Sequence, residues 1–178
     1  MREVKKIDIN KSFTLKRLIF SENWIDKIDR ILIYVVFGTL IILPAFMILK
    51  ADFNLPNQKL ISLTAFPLTI FLSLYIVYRT ATEKLLIELT TQFNEGKNRQ
   101  ILMMFADKNK LIVSRDSKEC VILNTRYYRT TAIFIVKDNI VLFTAMTNGY
   151  RINFPTLICH LLLKQRLKKE FKHASVEL

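Results

Sequence analysis

Two apolar stretches decide the fold of this chain: ILIYVVFGTLIILPAFMIL at residues 31–49 and LISLTAFPLTIFLSLYIVY at residues 60–78. Neither contains a charged residue, and a basic residue flanks both ends of each. A helix of 19 residues rises about 28 Å, close to the roughly 30 Å hydrocarbon core of a bilayer. A helical hairpin buried in a soluble protein would normally show a polar face, which both stretches lack. We therefore predict two transmembrane helices.

The lysine and arginine residues are distributed unevenly around these stretches and predict their orientation. Of the 27, eight lie in residues 1–30, two in residues 50–59 and seventeen in residues 79–178. Basic residues concentrate on the cytosolic side of membrane proteins. We expect a bacterial inner (cytoplasmic) membrane protein with both termini in the cytosol and residues 51–58 as a turn on the far side.

Side chains at the ends of the stretches and inside them have expected roles in a bilayer. Long basic side chains extend to the headgroups, and aromatic rings favour the same interfacial layer. The predicted membrane-interface residues are Trp24, Arg30, Lys50, Lys59, Tyr75, Tyr78 and Arg79. Proline frees backbone groups that need a neighbour, and glycine allows close helix approach. The predicted span-packing residues, which favour a homo-oligomer, are Gly38, Pro44, Thr64 and Pro67.

The pattern changes on both sides of the hairpin and predicts three parts. Residues 1–30 form an amphipathic segment, helical from Ser12 and broken near Ser21, that either lies on lipid or lines a vestibule, or else packs on the tail domain. Residues 31–79 form the two-span hairpin. Residues 80–178 form a cytosolic α+β domain, an antiparallel meander with a closing helix, and their length excludes a two-domain enzyme.

Within the tail, we expect the second span to continue as a helix through residues 85–93 to a stop signal at residues 94–96, followed by a second short helix. Short β-branched or aromatic runs predict strands at residues 111–113, 120–123, 131–136 and 140–146. Asn148-Gly149 is the strongest hairpin signal and joins residues 140–147 to residues 150–154. Pro155 is suited to open the closing helix, whose end is strongly basic.

The sequence offers little catalytic or cofactor chemistry. The three glycines form no phosphate loop, and the cysteines and histidines lack metal-ligand spacing. We expect no cofactor, no metal and no direct nucleic-acid binding, because positive charge beside a bilayer is first explained by anionic lipid. One pair of residues has a spacing that could serve catalysis. Arg166 and His173 stand two turns apart on one helix face. An arginine that holds phosphate and a histidine that moves a proton are the minimal equipment for RNA cleavage.

Arg166 and His173 resemble the Arg-x6-His element of HEPN ribonucleases, although Leu167 replaces the polar residue that commonly follows their arginine. With its small basic chain, amphipathic N-terminal segment, membrane-spanning part and compact cytosolic domain, the protein resembles the transmembrane accessory proteins of type VI-B CRISPR systems. The resemblance implies a pore-like inner-membrane oligomer, functionally linked to an RNA-guided ribonuclease. Such an oligomer acts in antiviral defence by depolarising the membrane.

Two other classes remain open at this point. The first is a two-span membrane-anchored protein whose tail is a lipid-proximal sensor or scaffold, and it predicts salt-sensitive binding to anionic lipid. The second is a membrane-tethered HEPN-like ribonuclease with Arg166 and His173 as its catalytic candidates. We expect the oligomeric pore-like membrane effector, which is not an enzyme, and keep these two classes as alternatives.

Overall fold

The computed structural model describes residues 6–51, 55–125, 130–147 and 155–176. The chain divides into two compact units, a hairpin unit of Trp24–Thr82 and an α/β unit made of Met1–Asn23 together with Glu83–Leu178. The elements are α1 (Ile9–Thr14), α2 (Trp24–Leu49), α3 (Pro56–Leu63), α4 (Ala65–Thr82), β1 (Ile87–Thr90), α5 (Glu95–Lys108), β2 (Ile112–Asp116), β3 (Cys120–Asn124), β4 (Thr130–Lys137), β5 (Ile140–Thr147) and α6 (Cys159–Val176).

The hairpin unit contains two helical stretches that are long and apolar enough to cross a membrane, as the sequence predicts. One is α2, which begins seven residues before the predicted span, and the other is α3 with α4. The break between α3 and α4 falls at Thr64, where the backbone leaves helical geometry. Pro67 explains this break, because it has no N–H for the carbonyl of Leu63 and its ring clashes with that carbonyl.

The α/β unit is built on a five-stranded antiparallel sheet in the order β1-β5-β4-β3-β2. The predicted meander corresponds to β2 to β5, which pair in succession. The turn between β4 and β5 is tight, and Asn139 takes the left-handed conformation there (φ 63°), which asparagine tolerates better than most residues. The hairpin predicted at Asn148-Gly149 lies outside the described residues.

The predicted helix over residues 85–93 is wrong, because residues 87–90 form β1 at one edge of the sheet. Leu89 is buried while its neighbours Glu88 and Thr90 are exposed, a period of two that suits a strand. Asn94 does not stop a helix but starts one. Its side chain accepts a hydrogen bond from the N–H of Lys97 (2.9 Å) and caps α5.

Both faces of the sheet are covered. On one face, α5 and α6 pack over a core that includes Phe105, Phe134, Phe143, Leu167 and Phe171. Arg99 of α5 also donates to both carboxylate oxygens of Asp116 in β2 (2.7 and 2.6 Å), which holds the pKa of that carboxyl below its usual range. The expected closing helix is present as α6 but begins at Cys159, four residues after Pro155.

The N-terminal segment covers the opposite face of the sheet. Leu18 and Phe20 are buried in a second core with Cys120, Ile133 and Ile135. The N–H of Leu18 donates to the Lys84 carbonyl (2.8 Å). For residues 6–23 the structure therefore supports packing on the tail domain rather than a place on lipid.

Helix α1 ends at Thr14, so the helix predicted from Ser12 to a break near Ser21 is wrong for the residues after Thr14. Arg17 there forms an antiparallel bridge with Leu85, which is possible only for extended backbone. Residues 24–30, predicted to belong to the amphipathic segment, form the start of α2.

Candidate functional site

The predicted membrane-interface residues all lie in or directly beside the helices of the hairpin unit. Four of them are exposed: Trp24, Lys50, Lys59 and Tyr78. Arg30 and Tyr75 are half-buried. Arg79 is buried, and its guanidinium donates a hydrogen bond to the hydroxyl of Thr82 (3.2 Å). Arg79 thus differs from the four exposed residues of this set, because its side chain is buried.

The predicted span-packing residues fall on different sides of their helices. Pro44 is buried and lies three helical turns from buried Ile33, so these two share one face of α2. Gly38 lies off that face and is half-buried, and a Cβ atom placed on it would meet no other atom within 4 Å. Thr64 and Pro67 are exposed. The side of α2 at Gly38 is therefore open within one chain.

Arg166 and His173 both lie on α6 and are exposed, two turns apart as their spacing predicts. Leu167 and Phe171 between them turn the other way, into the core of the α/β unit. The two predicted residues have different surroundings, because Arg166 lines a cavity whose described lining does not include His173.

The outer face of α6 begins apolar and continues basic. Ile158, Leu161 and Leu162 are about half exposed at its start. The acidic residue of α6, Glu170, forms an ion pair with Lys108 of α5 (2.5 Å) and so does not neutralise the lysines around it. We call the following set the α6 surface: Ile158, Leu161, Leu162, Lys164, Lys168, Lys169 and Lys172. Within the described parts of the chain, none of these four lysines forms an ion pair.

A cavity of about 510 Å³ lies between the start of α6, the end of α5 and the sheet. Three neighbouring strands supply Leu123, Ala132 and Ala145 to its lining. Two cations, Lys110 and Arg166, also line it, whereas no carboxylate does among the described residues. The remaining lining residues are Phe105, Asn109, Leu111, Thr125, Thr130, Cys159, Leu162 and Leu163.

The cavity arises from a pair of alanines. Ala132 of β4 lies directly opposite Ala145 of β5 in the strand register. Two residues further along the same face, Phe134 lies opposite Phe143, and their stacked rings (6.0 Å between centroids) fill the space under the helices. The alanine pair has only methyl groups where the next pair has aromatic rings. This difference leaves room above the sheet. Sequence reasoning missed this site, although two alanines inside otherwise bulky strands are a signal.

Lys110 is placed at the cavity by the way α5 ends. Its N–H donates to the Asp107 carbonyl (3.1 Å), and the N–H of Leu111 donates to the Ala106 carbonyl (2.9 Å). This is the Schellman arrangement, in which the residue after the cap takes the left-handed conformation. Lys110 has φ 53° at that position, where glycine is usual.

The two cysteines are expected to differ in reactivity, which provides a reporter for the cavity. Cys159 is exposed and lines the cavity, whereas Cys120 is fully buried and its burial raises the pKa of the thiol. Since the thiolate is the reactive form, N-ethylmaleimide should modify Cys159 at least about 100-fold faster than Cys120 in the folded protein. Peptide mass spectrometry of timed samples measures both rates. Equal rates would contradict the placement of Cys120 in the core.

Function is inferred from the geometry of the structure, because the comparisons with known proteins give no match. In the described ranges, no group of three or more His, Cys, Asp or Glu residues is placed to hold a metal ion. No protein-family model, curated protein or solved structure matches the chain. The candidate site therefore consists of the α6 surface and the cavity beside it.

Proposed function

We propose that the protein is a two-span membrane-anchored sensor or scaffold whose α/β unit binds anionic lipid headgroups through the α6 surface. The observation that carries this proposal is the pairing on one helix of exposed Leu161 and Leu162 with lysines that have no acidic partner among the described residues. Apolar side chains beside cations suit a membrane surface, where the apolar groups enter the headgroup layer and each lysine contributes about 1 kcal/mol.

The membrane anchor is supported by the exposure of the hairpin helices. Only 11% of each apolar window is buried, so most of this apolar surface needs a covering that lipid would supply. Both ends of the hairpin connect to the same α/β unit, which supports a hairpin whose two ends lie on one side of a membrane. The positive-inside rule then places that unit in the cytosol.

Chain continuity keeps the α/β unit close to the membrane. The chain enters α2 at Trp24 directly after the α/β unit and returns to it at Glu83 directly after α4. Helices α2 and α4 that cross a bilayer would hold the unit at the headgroup layer, where a basic surface meets anionic lipid at high local concentration.

The proposal is tested with the full chain in nanodiscs. A fluorophore on Ser175→Cys, in a Cys159→Ser background, reports how close the exposed face of α6 lies to lipids with spin-labelled headgroups. We expect strong quenching with anionic lipid, weak quenching with zwitterionic lipid, and loss of the difference near 1 M salt, where the Debye length falls to about 3 Å.

Matched double variants distinguish binding by the α6 surface from a general effect of positive charge. Lys168→Gln/Lys172→Gln should lower the quenching by anionic nanodiscs at least about threefold, since it removes two of the cations near the label. Lys97→Gln/Lys118→Gln carries the same charge change elsewhere and should not. Equal quenching in both lipids would overturn the proposal. Salt-sensitive binding of an RNA oligonucleotide without a lipid response would assign the surface to nucleic acid instead.

The pore-like effector of antiviral defence implied by the resemblance to type VI-B accessory proteins is a second proposal, and Gly38 favours it. The open side of α2 at Gly38 has room for a helix of another chain. Glycine at such a position allows close helix contact in a membrane.

Gly38→Leu is expected to reduce the mass of the detergent-solubilised particle from an oligomer to a smaller species. Because a Cβ atom added at Gly38 meets no other atom within 4 Å, the loss would come from contact between chains. Native mass spectrometry measures the particle. Val36→Leu, an apolar exchange on a different side of α2, is the control and should leave the mass unchanged. An unchanged mass for Gly38→Leu, or a monomeric parent protein, would contradict the pore proposal.

A further inference from the structure

The cavity beside α6 has the chemistry of a site for an amphiphile. Its strand side includes Leu123, Ala132 and Ala145, whose side chains offer only apolar atoms, and Thr130 at the start of β4 adds one hydroxyl. Lys110 and Arg166 supply positive charge on the same cavity, and neither forms an ion pair within the described residues. An apolar lining with a few placed polar groups is the usual composition of a small-molecule site.

We propose that this cavity binds one single-chain anionic amphiphile of the fatty-acid or alkyl-phosphate type. The chain of the ligand lies on the alanine pair, and its headgroup is bound by Arg166 and Lys110. This inference rests on the proposed function, because a membrane-bound sensor meets such molecules in the leaflet beside it. It goes beyond that function by assigning a ligand to a site separate from the lysines of the α6 surface.

The size of the cavity suits one alkyl chain. Its volume of about 510 Å³ falls inside the range of about 300–1,000 Å³ typical of ligand sites. A cavity of this volume accommodates one alkyl chain with its headgroup.

The charged residues suit an anionic headgroup rather than a neutral one. A guanidinium donates two parallel hydrogen bonds to a carboxylate or phosphate, and an ammonium adds a point charge. Arg166 is held on α6, which Leu167 anchors in the core, and Lys110 is held by the hydrogen bonds that close α5. The backbone that carries each cation is therefore fixed before a ligand arrives, which reduces the entropic cost of binding.

Protection of Cys159 measures occupancy of the cavity. The full chain is placed in zwitterionic nanodiscs, and its modification by N-ethylmaleimide is timed with dodecyl phosphate, with inorganic phosphate or with dodecanol. We expect dodecyl phosphate to slow modification of Cys159 at least about tenfold, while the other two slow it less than about twofold. Cys120 stays unmodified throughout and shows that the α/β unit remains folded.

Two variants test the two ends of the proposed site. Ala132→Phe places a ring where the alkyl chain would lie and should abolish the protection by dodecyl phosphate. Lys110→Gly removes a cation at a left-handed position that glycine adopts without strain, so it should keep the fold and still weaken protection at least about fivefold. Lys172→Gln removes a cation outside the described cavity lining and should leave protection unchanged.

The outcomes separate this inference from the proposed function. Protection that persists in Ala132→Phe, or that inorganic phosphate gives equally well, overturns the amphiphile site, and so does the absence of protection by dodecyl phosphate. Because dodecyl phosphate that enters the bilayer also makes it anionic, the Lys172→Gln variant shows whether protection depends on binding of the α6 surface to the bilayer. Lipid quenching at residue 175 without protection of Cys159 overturns the cavity inference alone. Protection without quenching overturns the proposed function alone.

Discussion

Leu18→Asp is expected to raise the rate at which Cys120 reacts with N-ethylmaleimide by about 100- to 3,000-fold. Leu18 is 1% exposed and shares a core with Cys120, on the face of the sheet that the N-terminal segment covers. A carboxylate there loses its hydration without a compensating partner, which costs about 3–5 kcal/mol. Each increment of about 1.4 kcal/mol is a factor of ten in an equilibrium constant. This cost therefore raises the population of molecules with an accessible Cys120 by about 100- to 3,000-fold.

The measurement uses the full chain in nanodiscs and a Cys159→Ser background, so that only the buried thiol reacts. Leu15→Asp is the matched control, because it makes the same change three residues earlier at a side chain that is 63% exposed. We expect it to change the rate less than about threefold. A segment lying on the inner leaflet would give a different result, because Cys120 would then react at the same rate in Leu18→Asp, in Leu15→Asp and in the parent protein. That outcome would contradict the packing of the N-terminal segment on the α/β unit.

The hairpin and most of the sheet follow from local patterns in the sequence. Two uncharged runs are sufficient to predict long apolar helices, and short β-branched runs predict β2 to β5. The N-terminal segment and β1 were harder because both depend on distant partners. Leu18 sits at an apolar position that suits a helix on lipid as well as an extended segment on a sheet. Leu89 belongs to a strand only because β5 lies beside it, about fifty residues later in the chain.

The candidate site was predictable to a different degree in each of its parts. The lysines of the α6 surface are evident from the sequence, because charged residues on a helix tail face solvent unless something pairs with them. The cavity is not, because it depends on the lateral register that aligns Leu123, Ala132 and Ala145 across three strands. Lys110 joins it only through the way α5 ends. No local pattern in the sequence predicts the register of these three strands or the way α5 ends.

Leu167→Asp is expected to release α6 from the sheet. Leu167 is fully buried in the core on the helical face, and it is the residue that points inward between Arg166 and His173. A buried, unpaired carboxylate at this point costs on the order of 5 kcal/mol, comparable to the whole stability of a small domain. Hydrogen exchange followed by mass spectrometry should show the amides of α6 exchanging at least about 1,000-fold faster than in the parent protein.

The same helix supplies the control for this prediction. Leu161→Asp makes the same chemical change six residues earlier, at a side chain that is 48% exposed on the outer face of α6. Its amides should exchange within about threefold of the parent rates, because exposed substitutions change stability by about 0.5 kcal/mol or less. The contrast matters for function, since the proposed lipid surface and the amphiphile cavity both require α6 to be held by Leu167. If Leu167→Asp left the exchange of α6 unchanged, the burial of Leu167 against the sheet would be wrong, and with it the position of α6 beside the cavity.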